Sequence, residues 1–390
     1  GALGTGKLNS AYSIGGPGLL IRILKQQVFP GLQINHVIDV NFGGFEALVN
    51  AIGCVYTDVD HRYYNNTAVT NYSSIDVQPG YQPLCGSDAL AFVRFRHTDT
   101  DIVRNARQQD FLRWAKAQFS TTELLSEKDK LVGIFGAHTQ TDANLHTLDG
   151  LINLFDLVVF SAGHTIKQVP FPAILLPCDV ATGASPCYVT ADPGAEHHAF
   201  SQFMAPTASA NPGGSASGGV GKHGAGPGRP GPVPDLTGDL SDGKAQAAAL
   251  GSVGFPIYFP RVVSAGSYYC FGATGNCPAQ IQTTGAYPRS YQLRDRSGHD
   301  HYAYRMTLAL NPVLGQYYGV QGTTWLNPPI LDSPTQTRNV GGKQLLIYAN
   351  GGKVSLVAWR HNGSAYWISN TLNDQIGNAQ MIAIAASLTH

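Results

Sequence analysis

Apolar residues recur with two different periods along the first 170 positions, and each change of period marks a new element. After Gly15-Gly16-Pro17, Leu19, Leu20, Ile23 and Leu24 fall on one side of a predicted helix reaching Gln27. Ile34 to Phe42 alternates as a strand does. Phe45, Leu48, Val49 and Ile52 then mark a short amphipathic helix, and Cys54 to Val59 reads as a second strand. Residues 60–78 read as a polar loop. Gly86-Ser87-Asp88 opens a short helix ending near Phe92, and a longer helix is predicted from about Ile102 to Phe119, with Phe111, Trp114, Ala115 and Phe119 as its apolar stripe. Leu145 to Phe155 forms a further amphipathic helix and Lys167 to Val169 a closing strand. This alternation predicts an α/β unit over residues 1–175, with a layered central sheet flanked by helices.

Between about Pro206 and Pro234 the chain is almost entirely Gly, Pro, Ala and Ser, a composition that cannot bury enough apolar surface to fold. Residues 176–249 are therefore read as an extension and flexible linker. From 250 to 390 the character changes to Tyr, Gly and β-branched residues, with strand-like runs at Gly254–Phe259, Tyr302–Leu310, Gln344–Tyr348 and Val354–Trp359 and a last helix from about Asp374 to Ser387. These features predict a smaller, independent α+β domain.

Composition narrows the function classes. With 390 residues, 43% of them hydrophobic, the chain can bury sizeable cores. Its 25 basic residues balance 25 acidic ones, which argues against nucleic acid as a partner. No apolar run reaches the roughly 18–20 residues that span a bilayer. Gly1 is not an initiator Met, and sequence upstream of it is expected. The six cysteines couple by proximity as Cys54 with Cys85, Cys178 with Cys187, and Cys270 with Cys277. None has the CxxC spacing of a zinc site, so disulfides in an oxidising compartment or buried thiols are the two readings.

The sharpest chemistry lies in residues 90–113, LAFVRFRHTDTDIVRNARQQDFLR. Arg94, Arg96, Arg104, Arg107 and Arg113 crowd one stretch of a chain that is only 13% charged, with Asp99 and Asp101 among them. A guanidinium is planar, always charged and shaped to phosphate oxygens. Asp101 suits the N-cap of the long helix, on which Arg104 and Gln108 share a face. A helix N-terminus adds partial positive charge beside the cluster. These features suit a dense anion such as a pyrophosphate; a solvated basic helix face paired with the aspartates is the alternative.

With its surroundings, this segment resembles the LytR-CpsA-Psr family of bacterial cell-wall enzymes. The matching stretches, in family order, are KLNSAYSIGGPGLL at 7–20, INHVIDVNFGGFEALVNAIGCVYTDV at 34–59, PGYQPLCGSDALAFVRFR at 79–96 and DIVRNARQQDF at 101–111. The resemblance implies an extracytoplasmic, membrane-associated phosphotransferase of the cell envelope. Such enzymes move a glycopolymer from a polyprenyl-pyrophosphate carrier to peptidoglycan by forming a phosphodiester. It implies that Arg94, Arg96, Arg104 and Gln108 contact the pyrophosphate, with Lys7 lining the pocket and Arg107 and Asp101 in the same motif. It also implies an apolar polyprenyl tunnel, with the helices at 17–27 and 45–52 as candidate walls. The family's Mg²⁺-binding aspartates and a Pro-Arg-Asp motif belong to an earlier block, as does the membrane anchor. No metal ligands are therefore expected within this stretch, and activity is expected of the longer protein. Arg94, Arg96 and Arg104 would neutralise the phosphate oxygens, while Asp101 or Asp99 would orient or deprotonate the acceptor hydroxyl. A non-catalytic glycolipid-binding module is the alternative.

Outside that segment, His299-Asp300-His301 has metal-like content without a third ligand at recognisable spacing. The late aromatics, among them Trp325, Trp359 and Trp367, suit either a sugar-binding surface or a core.

Overall fold

The computed structural model describes residues 7–66, 74–96, 99–145, 147–162, 169, 171–176, 189–205, 233–271, 277, 287–350 and 352–390. Cys178, Cys187, most of the predicted 167–169 strand and most of the Gly/Pro-rich segment lie outside them.

Helices and strands alternate through the N-terminal unit. α1 (Leu8–Ile23) begins well before the predicted start, is kinked at Gly15 and Gly16, and continues into a π-helical turn over Leu24–Val28. β1 (Ile38–Val40) stops short of Phe42 because Asn41 caps α2 (Phe42–Ala51), its side-chain oxygen accepting the Gly44 N–H at 2.8 Å. β2 (Val55–Val59) is next along the chain. The supposed polar loop then contains two short strands, β3 (Tyr63–Asn65) and β4 (Ile75–Val77), which pair antiparallel. β5 (Gly80–Leu84) pairs with β2 and leads to α3 (Gly86–Arg94) and α4 (Asp101–Ala117). α5 (Thr121–Ser126), α6 (Lys128–His138), β6 (Thr139–Thr141, paired with β1) and α7 (Leu148–Ala162) complete the unit. The Cys54–Cys85 disulfide ties the start of β2 to the start of α3. β7 (Ile174–Leu175), β8 (Val189–Thr190) and α8 (Pro193–Met204) lie beyond it in the chain.

The C-terminal unit starts earlier than composition placed it. β9 (Leu236–Gly238) and α9 (Leu240–Leu250) precede β10 (Phe259–Pro260) and β11 (Val262–Ser264). β9 pairs with β11, and Leu250 joins the C-terminal core, so residues 236–250 fold as part of this unit rather than as linker. An antiparallel eight-stranded sheet dominates the rest. It comprises β12 (Tyr268–Tyr269), β13 (Arg289–Arg294), β14 (Asp300–Asn311), β15 (Gln316–Thr323), β16 (Gln336–Val340), β17 (Lys343–Asn350), β18 (Lys353–His361) and β19 (Ser364–Ser369). α10 (Asn378–Ala386) packs on this sheet through Met381, Ile384 and Ala385, and β20 (Leu388–Thr389) pairs with β10. Cys270 and Cys277 are disulfide-bonded.

β2 joins the two units because both of its faces are buried. Successive residues of a strand point to opposite sides. Val55 and Val59 enter an apolar core with Phe92, Val93 and Phe111 of α3 and α4. Tyr56 points the other way, into a core shared with Leu293, Ala303 and Trp367 of the C-terminal sheet. Asp58, on that same face, accepts from Arg305 Nη1 of β14 at 2.9 Å, with both side chains almost fully buried. Around this pair, Thr307 Oγ1 donates to Asp60 O at 3.1 Å, Tyr56 Oη to Arg294 O at 2.7 Å, and Tyr291 Oη to Tyr81 O at 3.0 Å. The central strand pair is thus covered by helices on one face and by the C-terminal sheet on the other.

Candidate functional site

The arginine cluster is built by the passage from α3 to α4. Packing fixes its direction: Phe92, Val93 and Phe95 are buried in the core, so the intervening Arg94 and the following Arg96 turn outward. α4 then restarts the chain with Thr100 as its N-cap, the Thr100 hydroxyl accepting the Val103 N–H at 3.3 Å. Asp101 therefore does not fill the cap position expected of it. As the first helical residue, its carboxylate is free for another task.

That task is pairing two guanidinia. Arg96 Nε and Arg104 Nη2 each lie 3.0 Å from the same oxygen, Asp101 Oδ1. Arg94 stands beside the start of α2, its guanidinium carbon 4.0 Å from the centroid of the Phe42 ring, a cation–π arrangement. Partial burial pulls Arg104 below the usual arginine range; Asp101 opposes that shift, and the neighbouring charges of Arg96 and Arg107 add to it. Three arginines and one aspartate leave two positive charges uncompensated among these four side chains.

Two residues predicted at the pyrophosphate site are engaged elsewhere. Arg107 is fully buried, with Nη1 2.5 Å from Asp99 Oδ2, Nη2 donating to Phe95 O, and its guanidinium over the Tyr63 ring. It fixes the α3–α4 passage from inside and presents no donor to a ligand at the surface. Asp99, buried with it, is likewise out of reach of an acceptor hydroxyl. Gln108 Nε2 donates to Val93 O at 3.0 Å, strapping α4 to the last turn of α3. Lys7 occupies the N-cap position of α1, which is tied to β1 by the hydrogen bond from Tyr12 to Asp39. Arg94, Arg96, Arg104 and Asp101 form the surface cluster; Arg107, Asp99 and Gln108 hold its scaffold.

The apolar surface beside the cluster is not where the helix stripes placed it. Phe45 and Ile52 pack against the core, whereas Phe42 under Arg94 is 57% exposed, and Ile38 and Val40 of β1 are exposed too. The alternation over Ile34–Phe42 predicts Phe42 at the end of a strand, whereas it opens α2. Asn41, a capping residue followed by Gly43-Gly44, carried the signal for a helix start.

Magnesium does not suit the carboxylates present here. The Asp101 oxygen is taken by two cations and Asp99 is committed to Arg107. Among the described residues no group of three or more His, Cys, Asp or Glu is placed to hold a metal. The His299–Asp300–His301 segment is instead organised by Asp295, whose carboxylate lies 3.0 Å from His301 Nε2, while the His301 ring stacks on Trp325. Hydrogen bonding from His301 holds Asp295 down at about 2. An open cavity of about 560 Å³ lies at the other end of α4, lined by the Cys54–Cys85 disulfide, Phe119, Glu123 and Arg294 to Arg296. A 17-residue helix spans roughly 25 Å, so this cavity is remote from the cluster.

The N-terminal half of the chain is similar to known proteins. The model of the LytR_cpsA_psr family matches residues 2–182. The polyisoprenyl-teichoic acid–peptidoglycan teichoic acid transferase TagV of Bacillus subtilis is 28% identical over 165 residues, 42% of this chain and 40% of that protein. The probable cell wall biosynthesis protein LcpB of Corynebacterium glutamicum is 34% identical over 109 residues, 28% of this chain and 25% of that protein. The chain thus spans less than half the length of these curated relatives. The crystal structure of Bacillus subtilis TagV is 20% identical, covers 51% of this chain and 73% of its own, and has a TM-score of 0.39.

Proposed function

Because residues 2–182 belong to the LytR_cpsA_psr family, we propose that the arginine cluster binds the pyrophosphate of a polyprenyl-linked glycopolymer and that the protein transfers this polymer to peptidoglycan outside the cytoplasm. The observation that carries the reading is the convergence of Arg96 and Arg104 on one oxygen of Asp101. Two guanidinia held on a shared anion are already spaced for a second, denser one, and little further ordering is required on binding.

In this reaction the acceptor hydroxyl oxygen forms a bond to the sugar-linked phosphorus as the P–O bond to the polyprenyl phosphate breaks, and the hydroxyl proton passes to the departing phosphate. Negative charge grows on the nonbridging oxygens and on the departing phosphate, where fixed cations stabilise it most. Arg96 and Arg104 supply that charge. Arg94, seated on the exposed Phe42 ring, meets the carrier where its headgroup becomes hydrocarbon. Asp101 acts as a positioning residue that sets the distance between the two guanidinia.

Purified full-length protein supplied with lipid-linked glycopolymer and peptidoglycan tests the reading. Replacing Arg104 with Ala removes a charged donor from the reacting phosphates and is expected to slow transfer by roughly 10²–10³. Wild-type rates in Arg96→Ala and Arg104→Ala would remove it. Loss of transfer by wild type with lipid binding intact would favour a binding module instead.

A further inference from the structure

The β14–β15 turn meets the arginine-bearing passage at one defined point. Asn311 accepts the Leu314 N–H at 3.3 Å and so fixes a 3₁₀ turn over Pro312–Leu314, which ends at Gly315 in the left-handed region (φ 65°, ψ 30°). A Cβ on Gly315 would lie 3.2 Å from Asp99 Oδ1 and 3.3 Å from both γ carbons of Val103. Two residues on, the ring of Tyr317 stacks on that of His61 at 4.2 Å, so the turn is held against the N-terminal unit from its flank as well. Asp99 uses its other oxygen for Arg107, and Val103 directly precedes Arg104 on the first turn of α4.

We propose that this turn of the C-terminal unit is a positioning element for the arginine cluster: Gly315 backs Asp99 and Val103, and thereby sets where Arg104 and Asp101 stand. The cluster lies within the family segment, but its support comes from residues more than a hundred positions beyond it. Glycine is required at 315 on two counts, the positive φ and the close approach. A larger side chain moves Asp99 and Val103 away from the turn. Asp99 then loses its alignment with Arg107, and the first turn of α4 shifts with Arg104 on it. The C-terminal unit thus gains a role that depends on reading Arg94, Arg96 and Arg104 as the anion site.

The test uses the full chain with Gly315→Ala and Gly315→Val, and with Val313→Ser as a control on the same turn, where Val313 is 83% exposed. Two quantities are measured: hydrogen exchange of the amides of residues 99–104 in the free protein, and affinity for inorganic pyrophosphate by calorimetry. Gly315→Val is expected to speed that exchange and weaken pyrophosphate at least about tenfold, a loss of about 1.4 kcal/mol. Gly315→Ala should fall between it and wild type, and Val313→Ser should match wild type in both. Wild-type exchange or wild-type pyrophosphate affinity in the Gly315 variants overturns the positioning role. If Gly315→Val does not fold, Gly315→Ala decides by the same two measures at unchanged melting temperature. Faster exchange in a protein whose wild type binds no pyrophosphate leaves the positioning role standing and removes the pyrophosphate reading instead.

Discussion

Asp58→Asn tests whether the two units are one cooperative body. Asp58 and Arg305 come from strands 247 residues apart in sequence, and Arg305 is 1% exposed. Asn keeps the shape of Asp but removes the charge, so a fully buried guanidinium loses its counterion. The Asn oxygen can still accept from Nη1, and Nη2 still donates to Ser369 Oγ at 3.1 Å, but neither of these partners carries a charge. Removing one partner of a buried pair costs about 3–5 kcal/mol, because the remaining charge is stranded away from water. At roughly 2–4 °C per kcal/mol for a body of this size, the melting temperature should fall by roughly 6–20 °C in scanning calorimetry. Replacing both partners with apolar residues, Asp58→Leu with Arg305→Met, should recover most of that loss, since no charge is then left unpaired. A fall of less than about 2 °C for Asp58→Asn would mean that water reaches Arg305 and that the sheet does not seal against β2.

Two further substitutions probe the same junction. Gly319→Ala puts a Cβ 2.6 Å from both Arg305 Nε and Met306 O, and should destabilise by about 1–3 kcal/mol in denaturant unfolding; a neutral result would show that Arg305 has room to move. Asp374, at φ 50°, is pushed up to about 7 by burial and by Asp110, with Arg113 and Lys353 opposing. A carboxyl raised in the folded state contributes stability that is full below its unfolded value near 3.8 and is lost as pH rises through about 7. Asp374→Asn, which tolerates the left-handed backbone, should melt near the wild-type temperature at about pH 4 and progressively above it towards pH 8. A difference independent of pH would contradict the assignment.

Much of the N-terminal unit was legible because its elements follow simple periods. The apolar stripe of α4 and the strand at 55–59 sit close to where the pattern put them. β3 and β4 were hidden because Asp60, His61, Arg62 and Asn65 are polar yet buried, each held by partners that periodicity does not reveal. β15 was hidden by Gly319 and Gly322, which break the apolar alternation. Both are small because the Arg305 guanidinium and the Tyr304 ring fill the space a Cβ would need. Asp58 is buried under Arg305, a partner 247 residues away that strand periodicity does not reveal. At the cluster, charge density points to Arg94, Arg96, Arg104, Arg107 and Arg113 alike, and the family resemblance sets Arg94, Arg96 and Arg104 apart; what removes Arg107 from the surface is its burial on Asp99.

The central claim is that Arg96 and Arg104, spaced by Asp101, grip a diphosphate. Its most direct measure is the affinity of the full-length protein for a short-chain polyprenyl diphosphate against the monophosphate of the same chain, in wild type and in Arg96→Ala/Arg104→Ala. A second phosphate met by both arginines should tighten wild-type binding by at least about tenfold, near 1.4 kcal/mol, and the double variant should abolish that preference. Equal binding of the two lipids by wild type, or an undiminished preference in the variant, would contradict it.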